Sequence, residues 1–145
     1  MSIANRNRYK IYYYLAYKSL EMETLVKILY VDDEPVNLLL FEQMFNKKYI
    51  VLKAESGFKG LDMLQRNPDI EVVVSDMKMP GMNGLEFINK VHALYPNILL
   101  YIFSGYDLTP EIQQSMDQGL ILKYFQKPFN MRIIDDAIAE ALQRK

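Results

Sequence analysis

Short apolar runs alternate with longer segments of helical spacing from residue 25 to the end of the chain. Most of the short runs are rich in valine, isoleucine and leucine, which is typical of strands buried on both faces of a parallel sheet. The predicted strands are residues 26–31, 49–53, 72–74, 98–103 and 122–126. A helix is predicted after each strand. This order predicts one α/β domain, a doubly wound five-stranded parallel sheet with helices on both faces.

The helical segments carry residues that are typical of helix ends. Pro35 and Pro110 suit the first turn of a helix, because that turn does not need the N–H that proline lacks. Ser56 and Thr109 suit the preceding cap position, and Gly119 suits the end of a helix. The apolar positions at helical spacing are expected to face the core, and they include Leu39, Phe58, Leu94 and Ile133.

Residues 1–24 differ in composition from the domain predicted over residues 25–145. Residues 1–21 contain four cationic side chains against Glu21 alone, and the tract 11–17 is rich in tyrosine. A secretory signal does not fit, because tyrosine is unusual in its apolar region and no small-residue cleavage pattern follows. Three interpretations stay open: an additional helix or disordered arm, sequence upstream of a natural start at Met22, and a surface that docks on a partner or on a second copy in a homodimer.

Composition excludes several classes of function. The net charge of −1 gives no overall basic field that would indicate direct nucleic-acid binding. There is no cysteine, which excludes disulfides, thiolate metal sites and cysteine nucleophiles and is consistent with a cytoplasmic protein. The apolar runs are much shorter than the roughly 20 residues of a membrane-spanning helix. A single soluble domain without a membrane anchor is expected.

Polar residues follow the predicted strands, where the carboxyl ends of parallel strands meet at one edge of the sheet. They are Asp32 and Asp33 after the first strand, Asp76 after the third, Ser104 after the fourth and Lys127 after the fifth. Each alone is a common turn, cap or loop residue. Together they predict a site in which clustered carboxylates bind Mg²⁺ or Mn²⁺, while the hydroxyl and the ammonium bind a phosphoryl group.

These motifs resemble the receiver domain of two-component response regulators. The resemblance covers residues 25 to about 144 and implies the flavodoxin-like strand order 2-1-3-4-5. The motifs that carry it stand in order along the chain: Asp32-Asp33-Glu34-Pro35, residues 75–84, Phe103-Ser104-Gly105 and Lys127-Pro128-Phe129.

The resemblance implies that Asp76 accepts a phosphoryl group from phosphohistidine on a sensor histidine kinase or a phosphotransfer protein. Asp33, Asp76 and the backbone carbonyl of Lys78 would bind the metal ion, and Asp32 would act through a metal-bound water. Ser104 and Lys127 would bind the phosphoryl oxygens. The chain would then be a signalling protein, with at most self-catalysed phosphorylation and dephosphorylation.

The resemblance also implies a conformational switch. Lys127 would bind the phosphoryl group and precede a cis peptide bond to Pro128. Ser104 would move on phosphorylation, and the rotamer of Tyr124 would follow. A changed surface would then face a downstream protein or output domain. It would consist of the fourth helix of the predicted domain, the fifth strand and the fifth helix. Tyr124 as an ordinary packed core residue is the alternative.

Some residues near the site are less informative. Lys78 and Tyr106 occupy positions that modulate loss of the phosphoryl group in the family. His92 is the only histidine, and we expect a half-buried helix residue there, not a phosphodonor.

Three other functions are alternatives to this interpretation. A non-phosphorylated pseudo-receiver would act as a protein-interaction module. A phosphohydrolase that forms an aspartyl-phosphate would need a second acid at position 78, where the chain has lysine. A flavin carrier of the same architecture would need a glycine- and hydroxyl-rich loop after the first strand, where Asp32 and Asp33 would repel phosphate.

Overall fold

A computed structural model describes residues 3–105 and 108–144 of the chain. Its helices and strands alternate, as the sequence predicts, after one additional helix at the start. In chain order they are α1 (Ile3–Thr24), β1 (Lys27–Val31), α2 (Pro35–Phe45), β2 (Ile50–Ala54), α3 (Gly57–Arg66), β3 (Ile70–Asp76), α4 (Gly84–Leu94), β4 (Leu99–Ser104), α5 (Pro110–Asp117), β5 (Lys123–Gln126) and α6 (Met131–Gln143).

The five strands form one parallel sheet in the order β2-β1-β3-β4-β5. This confirms the predicted strand order and places β3 at the centre of the sheet. β3 is longer than predicted, because Ile70 already pairs with Lys27 at the start of β1. Since every strand points the same way, all five carboxyl ends lie along one edge.

The core has two parts, one on each face of the sheet, because successive strand residues point to opposite faces. In β1, Leu29 and Val31 pack with residues of α3, α4 and α5. Ile28 and Tyr30 point the other way and pack with residues of α2 and α6. Burial on both faces explains why most of the strands are nearly continuous apolar runs in the sequence. It also confirms the prediction of helices on both faces of the sheet.

Four predicted inward-facing residues are instead exposed, which corrects the helix faces. Ile133 shows the reason: the buried stripe of α6 consists of Ile134, Ala137 and Ile138. Ile133 is one position earlier and therefore about 100° away around the helix. The exposed residues are Leu39 (49%), Phe58 (62%), Leu94 (64%) and Ile133 (57%).

Residues 3–24 form the additional helix, α1, and residues 6–20 of it are exposed. Its large apolar side chains include Tyr13, which is 76% exposed. The Nζ atom of Lys18 lies 5.9 Å from the centre of the Tyr14 ring, a contact within the helix itself. Among the described residues, no helix is both long enough and apolar enough to cross a membrane. The division at residue 24 stays a prediction.

Candidate functional site

The polar residues at the strand ends meet around one cavity of about 220 Å³. Asp76 ends β3 and Ser104 ends β4, while Asp32 and Lys127 directly follow β1 and β5. The structure therefore brings together the residues that the sequence places at these ends. The cavity is lined by Asp33, Glu34, Asp76, Met77, Lys78, Ser104, Gly105 and Lys127.

Asp76 is a nearly buried carboxylate, only 5% exposed, at the floor of this cavity. Its Oδ1 atom accepts a hydrogen bond from the Met77 backbone N–H at 3.0 Å and lies 3.2 Å from Lys127 Nζ. Burial raises the pKa of Asp76 to about 6, and the charge of Asp32 acts in the same direction, whereas Lys127 opposes both. The net shift means that the protein environment lacks enough positive charge to offset this carboxylate.

Asp32 is fully buried and lies behind the cavity wall. Its Oδ2 atom accepts a hydrogen bond from the Tyr30 hydroxyl at 2.6 Å, and its Oδ1 atom accepts one from the Glu34 backbone N–H at 2.9 Å. Burial raises the pKa of Tyr30, as does the Asp32 charge, so the hydroxyl keeps its proton and acts as a donor. Both carboxylate oxygens are thus fixed by groups on β1 and at the start of α2.

Asp33 is exposed at the cavity, in contrast to its buried neighbour Asp32. Asp32, Asp33 and Asp76 each offer a carboxylate oxygen within 4.8 Å of the others. Three clustered carboxylates without a thiolate or a nearby imidazole are a donor set that suits Mg²⁺. Burial, together with the charge of Asp32, raises the pKa of Asp76, and a bound cation would favour the ionised carboxylate against both.

Lys127 joins the two buried carboxylates. Its Nζ atom lies 3.2 Å from Asp76 Oδ1 and 3.6 Å from Asp32 Oδ2. Burial alone would lower the pKa of Lys127, but the two carboxylate charges outweigh burial and hold it above its ordinary value. The Lys127 backbone N–H donates to the Ser104 carbonyl at 2.8 Å, which ties the ends of β4 and β5 together. The Lys127–Pro128 peptide bond is cis, as the resemblance implies.

The turn after Asp76 requires glycine at position 84. The Gly84 N–H donates to the Met77 carbonyl at 2.8 Å, which closes the turn. A Cβ atom on Gly84 would lie 2.2 Å from the Asp76 carbonyl oxygen, far inside normal contact. The glycine in the sequence motif therefore allows α4 to begin close behind the carboxylate.

Three residues discussed from sequence lie outside the cavity wall or outside the described chain. Tyr124 is half-buried on β5 and packs against the core on the side of α3, α4 and α5. His92 lies near the end of α4 and is exposed, not half-buried as expected. Tyr106 lies outside the described residues.

Sequence reasoning missed Tyr30, the hydroxyl that contacts Asp32. A signal was present, because Tyr30 is the one hydroxyl-bearing residue among the apolar residues 28–31 and stands two residues before Asp32. Residues two apart in a strand point to the same face. The backbone N–H groups of Glu34 and Met77 were also missed, since sequence alone does not show where a backbone donor points.

Comparison with known proteins identifies the family. Residues 28–139 match the sequence profile of the response regulator receiver domain. The chain belongs to this family. Receiver domains are the phosphorelay modules of two-component signalling and form a signalling class, not a class of dedicated enzymes.

Individual relatives agree with this assignment. The chain is 36% identical over 121 residues to sporulation initiation phosphotransferase F of Bacillus subtilis, covering 82% of this chain and 95% of that protein. It is also similar to the crystal structure of a response regulator receiver domain protein from Clostridium thermocellum, with a TM-score of 0.77, 30% identity, and coverage of 83% of this receiver chain and 96% of the other.

The fold also matches a response regulator protein, TrrA, from Thermotoga maritima, crystallised in complex with Mg²⁺–BeF. The TM-score is 0.70 at 22% identity, with 80% of this chain and 98% of that chain covered. Two longer bacterial transcriptional regulators also match this receiver, which spans 24% and 26% of their length.

Proposed function

We propose that this receiver takes a phosphoryl group onto Asp76 from phosphohistidine on a sensor histidine kinase or a phosphotransfer protein. One observation carries the proposal. The buried Asp76 carboxylate shares a cavity with the ammonium of Lys127, at 3.2 Å, and with Ser104 on the neighbouring strand. A nucleophile, a cation and a hydroxyl thus face the same space, which is what transfer to a carboxylate requires.

The transfer forms an acyl phosphate. A carboxylate oxygen of Asp76 attacks phosphorus, the phosphorus–nitrogen bond of the donor breaks, and the electron pair stays on the imidazole nitrogen. Lys127 neutralises charge on the phosphoryl oxygens, and Ser104 donates a hydrogen bond to one of them. Asp33, Asp76 and the Lys78 carbonyl would hold Mg²⁺ directly, and Asp32 through a water. The bound ion supplies charge neutralisation at the phosphoryl oxygens, and Mn²⁺ would suit the same oxygens.

Phosphorylation then acts as a charge switch. The acyl phosphate carries roughly −1.5 to −2 charge if it resembles other phosphoryl modifications, in place of the single negative charge of the Asp76 carboxylate. Lys127 leaves its pairing with Asp32 to contact the phosphoryl group, and Ser104 moves toward the same oxygens. Tyr124 follows into the space that Ser104 releases. The surface of α5, β5 and α6 changes and controls a downstream protein or an output domain.

The phosphodonor protein docks beside the cavity, on the first turns of α2. Val36, Leu39 and Leu40 are 66%, 49% and 43% exposed there. Glu34, the cap of this helix, lines the cavity, so the apolar surface continues directly from its mouth. A helix that presents its histidine to Asp76 would cover these side chains, because exposed apolar patches mark interaction sites.

Intact-mass measurement after incubation with acetyl phosphate and Mg²⁺ tests the proposal. Wild-type protein is expected to gain one phosphoryl group, and Asp76→Asn none. Asp135→Asn is the control, since Asp135 bonds to Lys48 and Tyr49 away from the cavity. No gain in the wild type would contradict the proposal and favour a pseudo-receiver that acts only as an interaction module.

A further inference from the structure

Tyr30 contacts the acidic site from inside the core. Its side chain has no exposed surface, and its hydroxyl donates to Asp32 Oδ2 at 2.6 Å. Burying a hydroxyl costs free energy unless it finds a partner. A phenylalanine would fill the same space without that cost. The tyrosine is therefore explained by what its hydroxyl does to Asp32.

The aromatic ring of Tyr30 is held from three sides. It stacks on Phe41 of α2, with ring centres 4.2 Å apart and planes 11° apart. It makes edge-to-face contacts with Phe103 of β4 and with Phe129, with ring centres 6.1 Å and 5.9 Å apart. Phe103 directly precedes Ser104, and Phe129 follows the Lys127–Pro128 pair. Because dense packing permits one ring position, the hydroxyl has a fixed place.

We propose that Tyr30 is a positioning residue that holds the Asp32 carboxylate in the orientation needed at the magnesium site. This inference rests on the metal site of the proposed function. Tyr30 does not line the cavity, and its hydroxyl would act on the site only through Asp32. The Glu34 N–H holds the other oxygen at 2.9 Å, so the two donors together prevent rotation of the carboxylate.

The expected effect follows from how outer hydrogen bonds act on metal sites. Partners that orient a ligand commonly change metal affinity by about 10–100-fold. Asp32 acts through a metal-bound water, so the lower end of that range applies. Without the Tyr30 hydroxyl, Asp32 can turn toward Lys127, whose Nζ already lies 3.6 Å from Oδ2. The carboxylate would then be paired with a cation of the protein at the expense of the metal site.

Tyr30→Phe and Tyr101→Phe form a matched pair for testing this. Both tyrosines are buried, at 0% and 1% exposure, and the Tyr101 hydroxyl donates to the Ala137 carbonyl away from the site. Calorimetric titration of the unphosphorylated proteins with Mg²⁺ is expected to show about tenfold weaker binding for Tyr30→Phe. Tyr101→Phe is expected to stay within about twofold of wild type, since its hydroxyl has no contact with a metal ligand. Equal affinities for Tyr30→Phe and wild type would overturn the proposal.

A double-mutant cycle with Asp32→Asn tests the route of the effect. If Tyr30 acts through Asp32, Tyr30→Phe changes Mg²⁺ affinity in the wild type but not in the Asp32→Asn background. The same loss in both backgrounds would contradict a positioning role.

A second measurement needs no variant. With tyrosine labelled at Cζ, the Tyr30 resonance is expected to shift on addition of Mg²⁺, and the Tyr101 resonance is expected to stay unchanged. A Tyr30 resonance that does not respond would overturn the proposal.

These outcomes are separable from failure of the proposed function. A wild type that binds Mg²⁺ but never gains a phosphoryl group would contradict phosphate acceptance, while weaker Mg²⁺ binding by Tyr30→Phe would still support Tyr30 as a positioning residue. A wild type that binds no Mg²⁺ would overturn the role of Tyr30.

Discussion

Asp76 combines burial with negative charge, and the two are in conflict. The carboxylate is 5% exposed and lies near the charge of Asp32, and together these raise its pKa to about 6 despite Lys127. In the unfolded chain the same group titrates near 3.8. The folded protein therefore holds this proton more tightly, so ionisation of Asp76 costs folding free energy above pH 6 and nothing below about pH 4.

Asp76→Asn is expected to stabilise the fold in the absence of Mg²⁺. The variant removes the costly charge and keeps the shape, so at pH 7.5 its free energy of unfolding should exceed that of wild type by about 1 kcal/mol. This figure is below the full linkage value because the cavity is open to solvent. Urea unfolding measures the difference, which should shrink as the pH falls from 7.5 to 5. A variant less stable than wild type would contradict this description of Asp76.

Asp69→Asn is the control for that experiment. Asp69 pairs with Lys27 at 2.5 Å, and this hydrogen bond lowers the pKa of Asp69. Its ionised form is therefore favoured by the fold, which is opposite to Asp76. Removing the charge at position 69 should not increase stability at any pH, whereas an increase would mean that general charge reduction explains the result at Asp76.

At the residue scale, the sequence predicted the side chains whose position follows from chain direction alone. Asp76, Ser104 and Lys127 each end or follow a strand, and parallel strands bring their ends together whatever the packing. The hydrogen bond from Tyr30 to Asp32 depends instead on side-chain rotamers and on the aromatic packing around the ring. Such details arise only when the core is assembled. The chemical roles of these residues stay predictions.

Among the helices, α2 has an exposed apolar surface beside the cavity, formed by Val36, Leu39 and Leu40. Leu39→Asp should slow phosphoryl transfer from a phosphohistidine donor protein about tenfold, because an interface centre loses apolar burial. Transfer from acetyl phosphate needs no docking and should be unchanged. Leu94→Asp makes the same change at an exposed leucine of α4 and should affect neither rate. Equal slowing with both donors would contradict docking on α2.

The helix α1 is exposed over residues 6–20, and the family match begins only at residue 28. A chain that begins at Met22 should therefore keep the urea midpoint of the full chain and its labelling by acetyl phosphate. A lower midpoint would show that α1 stabilises the domain.

The solution mass of both chains tests whether α1 docks on a second copy. If the mass per particle falls by more than the mass of the deleted residues, the full chain self-associates through α1. Equal association states of the two chains would contradict this docking.

At the element scale, strands were predicted more accurately than helix faces. A strand buried on both sides, such as β1, needs only a run of apolar residues, and its identity survives an error of one residue at either end. A helix face depends on angle, and 100° per residue separates Ile133 from the buried Ile134. Leu39 and Phe58 were assigned to the wrong helix face in the same way. Apolar residues outside the buried stripe are common on protein surfaces, so apolarity alone does not identify the buried face.

At the scale of the whole molecule, β4 and β5 run from the cavity to the elements of the proposed output surface. The Lys127 N–H donates to the Ser104 carbonyl and so ties the ends of β4 and β5 together. Tyr124 lies on β5, three residues before Lys127. Ile102 pairs with Tyr124 across this pair of strands. A phosphoryl group on Asp76 would therefore act on β4 and β5 first and on α5 and α6 next, which is the proposed output surface.

Hydrogen–deuterium exchange with and without acetyl phosphate and Mg²⁺ tests this central claim most directly. The intact mass reports whether Asp76 carries a phosphoryl group, and the peptides report which elements respond. We expect exchange to change in α5, β5 and α6 of the wild type, to stay constant in β1 and β2, and to stay constant throughout Asp76→Asn. A phosphorylated wild type whose α5, β5 and α6 exchange as before would contradict the switch.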